Sequence, residues 1–128
     1  MTLALHFVLD SGALIAAERH DEWALRYFEL RARGLARLTI PRVCLVEWWR
    51  GRTDRREKML EAASVVEPLG EDIAKAAGVA LAKVRGATAV DAVVMATAAL
   101  RDGVVVTRDV RDFAALAAHF AGVRVFGR

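Results

Sequence analysis

Short apolar runs alternate along this chain with longer stretches in which hydrophobic residues recur every three to four positions. That alternation predicts strands interleaved with helices. Residues 4–9 (Ala-Leu-His-Phe-Val-Leu) predict a buried strand. Residues 11–19 and 21–33 predict two helices, the first entered through Ser11-Gly12 and the second ended by Gly34. A short strand is expected at 35–40. Pro41, with its φ fixed near helical values and no N–H to lose, is expected to open a helix through Arg50. Beyond Gly51 come a charged helix at 53–62, a strand at 64–69 and a helix at 71–84. The last third predicts a helix at 88–101 closed by Gly103, a strand at 104–107, a helix at 113–119 and a final strand at 123–126.

Strands that alternate with helices need crossover connections, and these place helices on both faces of a parallel sheet. The expected fold is α/β, a three-layer α/β/α sandwich with a central, mainly parallel sheet. The runs at 4–9 and 104–107 are the most apolar and belong at its centre. With 128 residues, two isolated prolines and no repeat or low-complexity tract, residues 1–128 read as a single domain.

Composition narrows the class. The chain is 55% hydrophobic with a mean hydropathy of +0.28, high for a small monomer, so apolar surface is expected to be hidden in an oligomer or partner interface. No apolar stretch approaches the ~18 residues of a membrane span, and no basic segment precedes the first run, so neither a membrane segment nor a signal peptide is expected and a cytoplasmic setting is. The lone Cys44 excludes an intrachain disulfide, and its apolar neighbours predict an inert buried thiol. Nineteen Lys and Arg against 16 Asp and Glu give a net charge of +3 and a pI near 9.6. An acidic cleft inside such a surface would suit a metal-bearing site that draws in polyphosphate.

The acids supply the candidate chemistry. Asp10 ends the first apolar run, Glu47 comes after Val43-Cys44-Leu45-Val46, Asp91 opens an Ala-rich helix, and Asp109 comes after Val104-Val105-Val106-Thr107-Arg108, with Asp112 three residues on. Each has a plainer explanation. Asp10 and Asp112 would cap helices, Asp91 lies three residues after Thr88 as in a capping box, Glu47 would pair with Arg50, and Asp109 would sit in a turn. Taken together those explanations weaken. Asp10 and Asp109 end strands expected to be neighbours, and open α/β sheets bind ligands outside the carboxyl ends of their strands. Carboxylates gathered there repel unless protonated or bridged by a cation, and oxygen ligands without a Cys or His pattern suit Mg²⁺ or Mn²⁺. Glu47, flanked by Val, Leu and Trp, is expected in largely apolar surroundings that a metal ligand tolerates.

Four stretches carry a family resemblance: Leu9-Asp10-Ser11-Gly12-Ala13-Leu14, Pro41-x-Val43-x-Leu45-Val46-Glu47, Asp91-Ala92-Val93-Val94-Met95-Ala96-Thr97-Ala98 and Val106-Thr107-Arg108-Asp109-x-x-Asp112-Phe113. In this order and spacing the chain resembles the PIN-domain (PilT N-terminus) endoribonucleases, and especially the VapC toxins of prokaryotic toxin–antitoxin pairs. The resemblance implies Mg²⁺- or Mn²⁺-dependent cleavage of RNA by a metal-activated water, with Asp10, Glu47, Asp91 and Asp109 holding one or two metals. Asp112 is a further candidate ligand, expected to lie farther from the metal than Asp109. It also implies a homodimer and a VapB-like antitoxin whose tail occupies a groove between the first helices and the helix bearing Glu47.

Other residues are candidates for substrate contact. Ser11 and Thr107 would place hydroxyls beside metal-bound water or phosphate. The run Arg50-Gly51-Arg52-Thr53-Asp54-Arg55-Arg56-Glu57-Lys58 offers Arg50 and Arg52 as phosphate contacts, or else a solvated helix face. Of the adjacent Trp48 and Trp49, one is expected in the core and one against a partner. Two further classes compete. A phosphoaspartyl domain fits poorly, because position 12 is Gly, the 64–69 strand ends without Asp and no Lys follows the last strand. A degenerate domain that binds RNA or a protein without catalysis would have no need to keep every acid.

Overall fold

The computed structural model of the protein describes residues 5–128. Its sheet has five strands: β1 (Leu5–Leu9), β2 (Ala36–Pro41), β3 (Val65–Glu67), β4 (Val104–Val106) and β5 (Val125–Phe126). All pairings are parallel, in the order β3-β2-β1-β4-β5. Seven α-helices connect them: α1 (Ser11–Glu18), α2 (Glu22–Ala32), α3 (Leu45–Trp48), α4 (Asp54–Ala62), α5 (Glu71–Lys83), α6 (Ala89–Leu100) and α7 (Ala114–His119). The chain moves outward from β1 to β3 by way of α1 to α4, then crosses back through α5 and α6 to β4. Parallel crossovers keep one hand, so reversing direction places α5 and α6 on the opposite face. The contacts agree: α1 packs with α2 and α3, while α5 packs with α6 and α7. The predicted three-layer sandwich is the observed fold, and its order reverses between β1 and β4.

Burial matches the strand patterns. Val8, Leu9, Leu38, Ile40, Val105 and Val106 are fully enclosed between the two helical layers. Helix α6 is buried at every position from Ala92 to Ala98, because its small side chains let the backbone lie close to the sheet. Its one buried hydroxyl there, Thr97, donates to the Val93 carbonyl at 2.7 Å and so carries no unmet polarity. Mid-strand, His6 bridges two elements. The Arg101 carbonyl can only accept, so Nδ1 donates to it at 2.9 Å and Nε2 takes the Thr39 hydroxyl at 2.6 Å.

The strands expected at 64–69 and 123–126 are shorter, Val65–Glu67 and Val125–Phe126, and two helix starts depart from the sequence expectation. Pro41 closes β2 rather than opening a helix: it is extended at ψ 128° and aligned with Glu67. The ladder from β2 to β1 ends at Thr39, so the missing N–H of Pro41 interrupts nothing on that side. After Pro41 the chain makes a 3₁₀ turn, Arg42–Cys44, and then the single helical turn α3, which stops at Trp48. Likewise a 3₁₀ turn at Val110–Phe113 precedes α7. Ala4, the first residue of the expected opening strand, lies outside the described residues.

Candidate metal centre at the carboxyl edge of the sheet

The reversal between β1 and β4 sets the place of the site. Leu9 aligns with Val106, and the Asp10 amide donates to the Val106 carbonyl at 3.1 Å, so Asp10 and Thr107 emerge side by side from the two central strands. Both side chains are buried, and the Thr107 hydroxyl hydrogen-bonds the Asp10 carboxylate. Asp10 also caps α1, its Oδ1 accepting the Ala13 amide at 2.8 Å. The capping role and the site role coexist on one carboxylate.

Burial is the main reason the Asp10 carboxyl is pushed up from 3.8 to about 6. The Thr107 and Ala13 hydrogen bonds pull it down, and the charges of Asp91 and Glu47 push it further up. Asp91 stands in the first turn of α6, where its amide donates to the Thr88 hydroxyl at 3.1 Å. Burial raises its carboxyl, a hydrogen bond with Thr88 opposes that, and Glu47 and Asp112 raise it further. Asp91 and Glu47 thus act on Asp10, and Glu47 and Asp112 act on Asp91.

Glu47 is exposed, not enclosed as its apolar flanks suggested, because α3 is one turn long and turns this residue and Val46 outward. Ser11 fixes it, donating to Oε1 at 2.6 Å. Asp109 is engaged elsewhere: its Oδ1 accepts the Arg111 amide at 3.1 Å and lies 3.6 Å from that guanidinium. Arg50 donates to the carbonyls of Val46 and Trp49 at 3.1 and 3.0 Å, and Arg52 faces Asp54 and Glu57 at 3.6 and 3.7 Å. Cys44 is buried among these acids, and its thiol is pushed up mainly by burial, with Asp10, Glu47 and Asp91 adding to it.

A network the sequence did not reveal holds α3 in place. Trp48 is buried and its indole N–H donates to Glu18 Oε1 at 3.0 Å, while Trp49 is half-buried and meets it edge-on at 5.9 Å. Arg56 grips both Glu18 oxygens at 2.7 and 3.2 Å, and Arg55 satisfies the Ala17 and Glu18 carbonyls at the end of α1. These bonds tie the end of α3 and the start of α4 to α1, which sets Glu47 opposite Ser11. Their only sequence signal was the basic run at 50–58, which does not say where its charges go.

Among the described residues, no three His, Cys, Asp or Glu side chains converge into a closed metal cage. Coulomb interactions outreach direct coordination, so these acids act on one another's charge without converging. An all-oxygen rim with one deeply buried carboxylate fits Mg²⁺ or Mn²⁺. Mg²⁺ dehydrates reluctantly and is usually held through one or two carboxylates plus waters.

The sequence profile of the PIN domain family matches residues 7–118. The chain belongs to the PIN domain family. Several solved structures share its fold. A Rickettsia felis VapBC2 complex bound to a promoter DNA fragment aligns with a TM-score of 0.74 at 12% identity, covering 97% of this chain and 99% of the other. A DNA-bound VapBC of Salmonella typhimurium aligns at 0.72 and 20% identity, covering 96% and 98%. A Klebsiella pneumoniae toxin–antitoxin complex aligns at 0.60 and 21% identity, covering 84% and 89%. No curated protein matches the chain significantly.

Proposed function

We propose that this PIN domain is a Mg²⁺- or Mn²⁺-dependent endoribonuclease, the toxin of a VapBC-type toxin–antitoxin pair acting in the cytoplasm. One observation carries the reading: a buried Asp10 with a carboxyl near 6, in the fields of Asp91 and Glu47, at the point where the strand order reverses. A carboxylate so destabilised is better matched to a cation than to a purely capping role. Asp10 and Asp91 would hold the metal, with Glu47 and Asp112 completing the rim; Asp109, engaged with Arg111, would serve mainly to shape the turn. A divalent ion bound there would supply an activated water and neutralise charge on the attacked phosphate. The chain's own residues would orient that site: Thr107 and the Ala13 amide fix Asp10, Ser11 fixes Glu47, and Thr88 fixes the first turn of α6.

A groove of about 430 Å³, apart from the carboxylates, supports the partner half of the reading. It lies between the first two helices and α4, with an apolar floor that includes Leu25, Phe28 and Met59 and with Asp54, Arg55 and Lys58 at its edge. An apolar floor with charged edges suits the tail of a VapB-like antitoxin, beside α4 rather than beside the helix that bears Glu47, and the exposed Val46 would be covered by the same partner or a second copy in a homodimer. The reading is tested with purified protein and a mixed single-stranded RNA pool. Cleavage should appear with Mn²⁺ or Mg²⁺, vanish with EDTA, and vanish in Asp10→Asn and Asp91→Asn while helix content stays unchanged. RNA binding without cleavage in either metal would leave a binding-only domain.

A further inference from the structure

We propose that Arg108 is a substrate-contacting residue, gripping an RNA phosphate at the mouth of the carboxylate site; this rests on the nuclease reading above. Four observations converge on it. Arg108 comes directly after Thr107, so it leaves β4 at the edge where Asp10 leaves β1. Its position relative to the acids is fixed by Gly12: a Cβ built there would lie 3.2 Å from Arg108 Cβ and 3.4 Å from Asp10 Oδ1. The backbone on either side is pinned, with the Thr107 amide on the Phe126 carbonyl at 3.0 Å and the Asp109 amide on the Thr107 hydroxyl at 3.3 Å. Finally, Arg108 is exposed and, among the described residues, forms no hydrogen bond or ion pair, although Asp10, Asp109 and Asp112 are its neighbours in the chain or across the strands.

What sets Arg108 apart is an unpaired guanidinium at the edge where Asp10 leaves the sheet, and it differs there from the two arginines that follow Glu47. Arg50 Nη1 donates within its own turn and Arg52 lies near Asp54 and Glu57, whereas Asp109 takes Arg111 and leaves Arg108 alone. A planar guanidinium held at its root and unpaired at its tip offers a two-pronged grip on phosphate oxygens. Set beside an acidic rim, it would select a ligand carrying both an anion for the guanidinium and an oxygen for the metal. A phosphodiester presents both on one group.

Binding of a fluorescent single-stranded RNA oligonucleotide, monitored by anisotropy across a salt series in an Asp10→Asn background that does not cut, tests this. Arg108→Ala should reduce the slope of log affinity against log salt by roughly 0.7, the share of one single-strand phosphate contact. Near about 50 mM salt that corresponds to affinity weaker by about eightfold. Arg108→Lys should keep the slope, having kept the charge, while losing part of the affinity through its poorer geometry. Arg124→Ala, at the opposite end of the sheet, serves as control and should change the slope far less. The proposal is overturned by an unchanged slope in Arg108→Ala, by an equal change in Arg124→Ala, or by an intact slope with weakened antitoxin binding. In each of those cases wild-type cleavage survives and the nuclease reading stands. If wild type neither binds nor cuts RNA, the nuclease reading itself has failed and takes Arg108 with it.

Discussion

Replacing Asp10 with Asn separates a metal ligand from a helix cap by thermodynamics alone. Asp10 ionises near 6 when folded against an ordinary 3.8, a gap worth about 3 kcal/mol at 1.36 kcal/mol per pKa unit. The folded carboxyl holds its proton more tightly than the unfolded one, and this sets the sign. Below about pH 4 both states are protonated and Asp10 contributes no penalty; as pH rises toward 6 the folded state loses stability, and above that the full penalty of about 3 kcal/mol applies. Asn keeps an oxygen for the Ala13 amide and caps helices as well as Asp, so the variant removes charge and little else. In EDTA at pH 7.5, Asp10→Asn should therefore melt above wild type by up to about 12 °C, given roughly 4 °C per kcal/mol for a domain this size. The two should converge at pH 4. Adding Mn²⁺ at a hundredfold excess over Kd should raise wild type by about 2.7 kcal/mol and barely move the variant. Scanning calorimetry at pH 4, 6 and 7.5, with EDTA or Mn²⁺, reads all of these. A variant less stable than wild type in EDTA at pH 7.5 would overturn this account, because Asp10 would then be stabilising as a charged cap.

The same carboxyl should give an acid limb to activity: metal needs the ionised form, so cleavage rates under limiting Mn²⁺ should fall as pH drops through about 6. Asp112→Asn should cost more activity than Asp109→Asn in parallel cleavage assays, because Asp112 acts on Asp91 while Asp109 is held by Arg111. Gly12→Ala should leave the melting temperature nearly unchanged, since the helical gain of about 0.5–1 kcal/mol offsets the close contact, yet slow cleavage by displacing Arg108 or Asp10. Glu18→Ala should destabilise by about 1–3 kcal/mol in urea melts and shift tryptophan emission to the red, because the Trp48 N–H and the Arg56 guanidinium lose their acceptor.

The fold was legible because strand burial and helix periodicity are local signals here. The runs ending at Leu9 and Val106 are apolar because both faces of a central parallel strand are covered, and both proved central. Pro41 was misleading for a physical reason: its fixed φ of −60° suits an extended strand end as well as a helix start, and ψ decides between them. Only the pairing to β3 sets that ψ, and no local pattern announces it. Glu47 shows a similar limit. Its apolar neighbours in sequence imply burial only if the helix carrying them continues, and α3 ends after four residues.

Positions of candidate acids can be read from strand ends, but their partners cannot. Asp109 and Asp112 flank one 3₁₀ turn, and the sequence favours Asp109 for the site because it stands nearer the strand end. The difference arises from capping: a residue in extended conformation at the start of a turn has an unpaired amide two residues on, and Asp109 turns back to accept it from Arg111. Asp112, past that amide, makes no such bond among the described residues, and its charge raises the Asp91 carboxyl. The same geometry that draws Asp109 away also draws Arg111 with it and leaves Arg108 unpaired. One local competition, settled by backbone hydrogen bonding, thus separates Asp109 from Asp112 and Arg111 from Arg108.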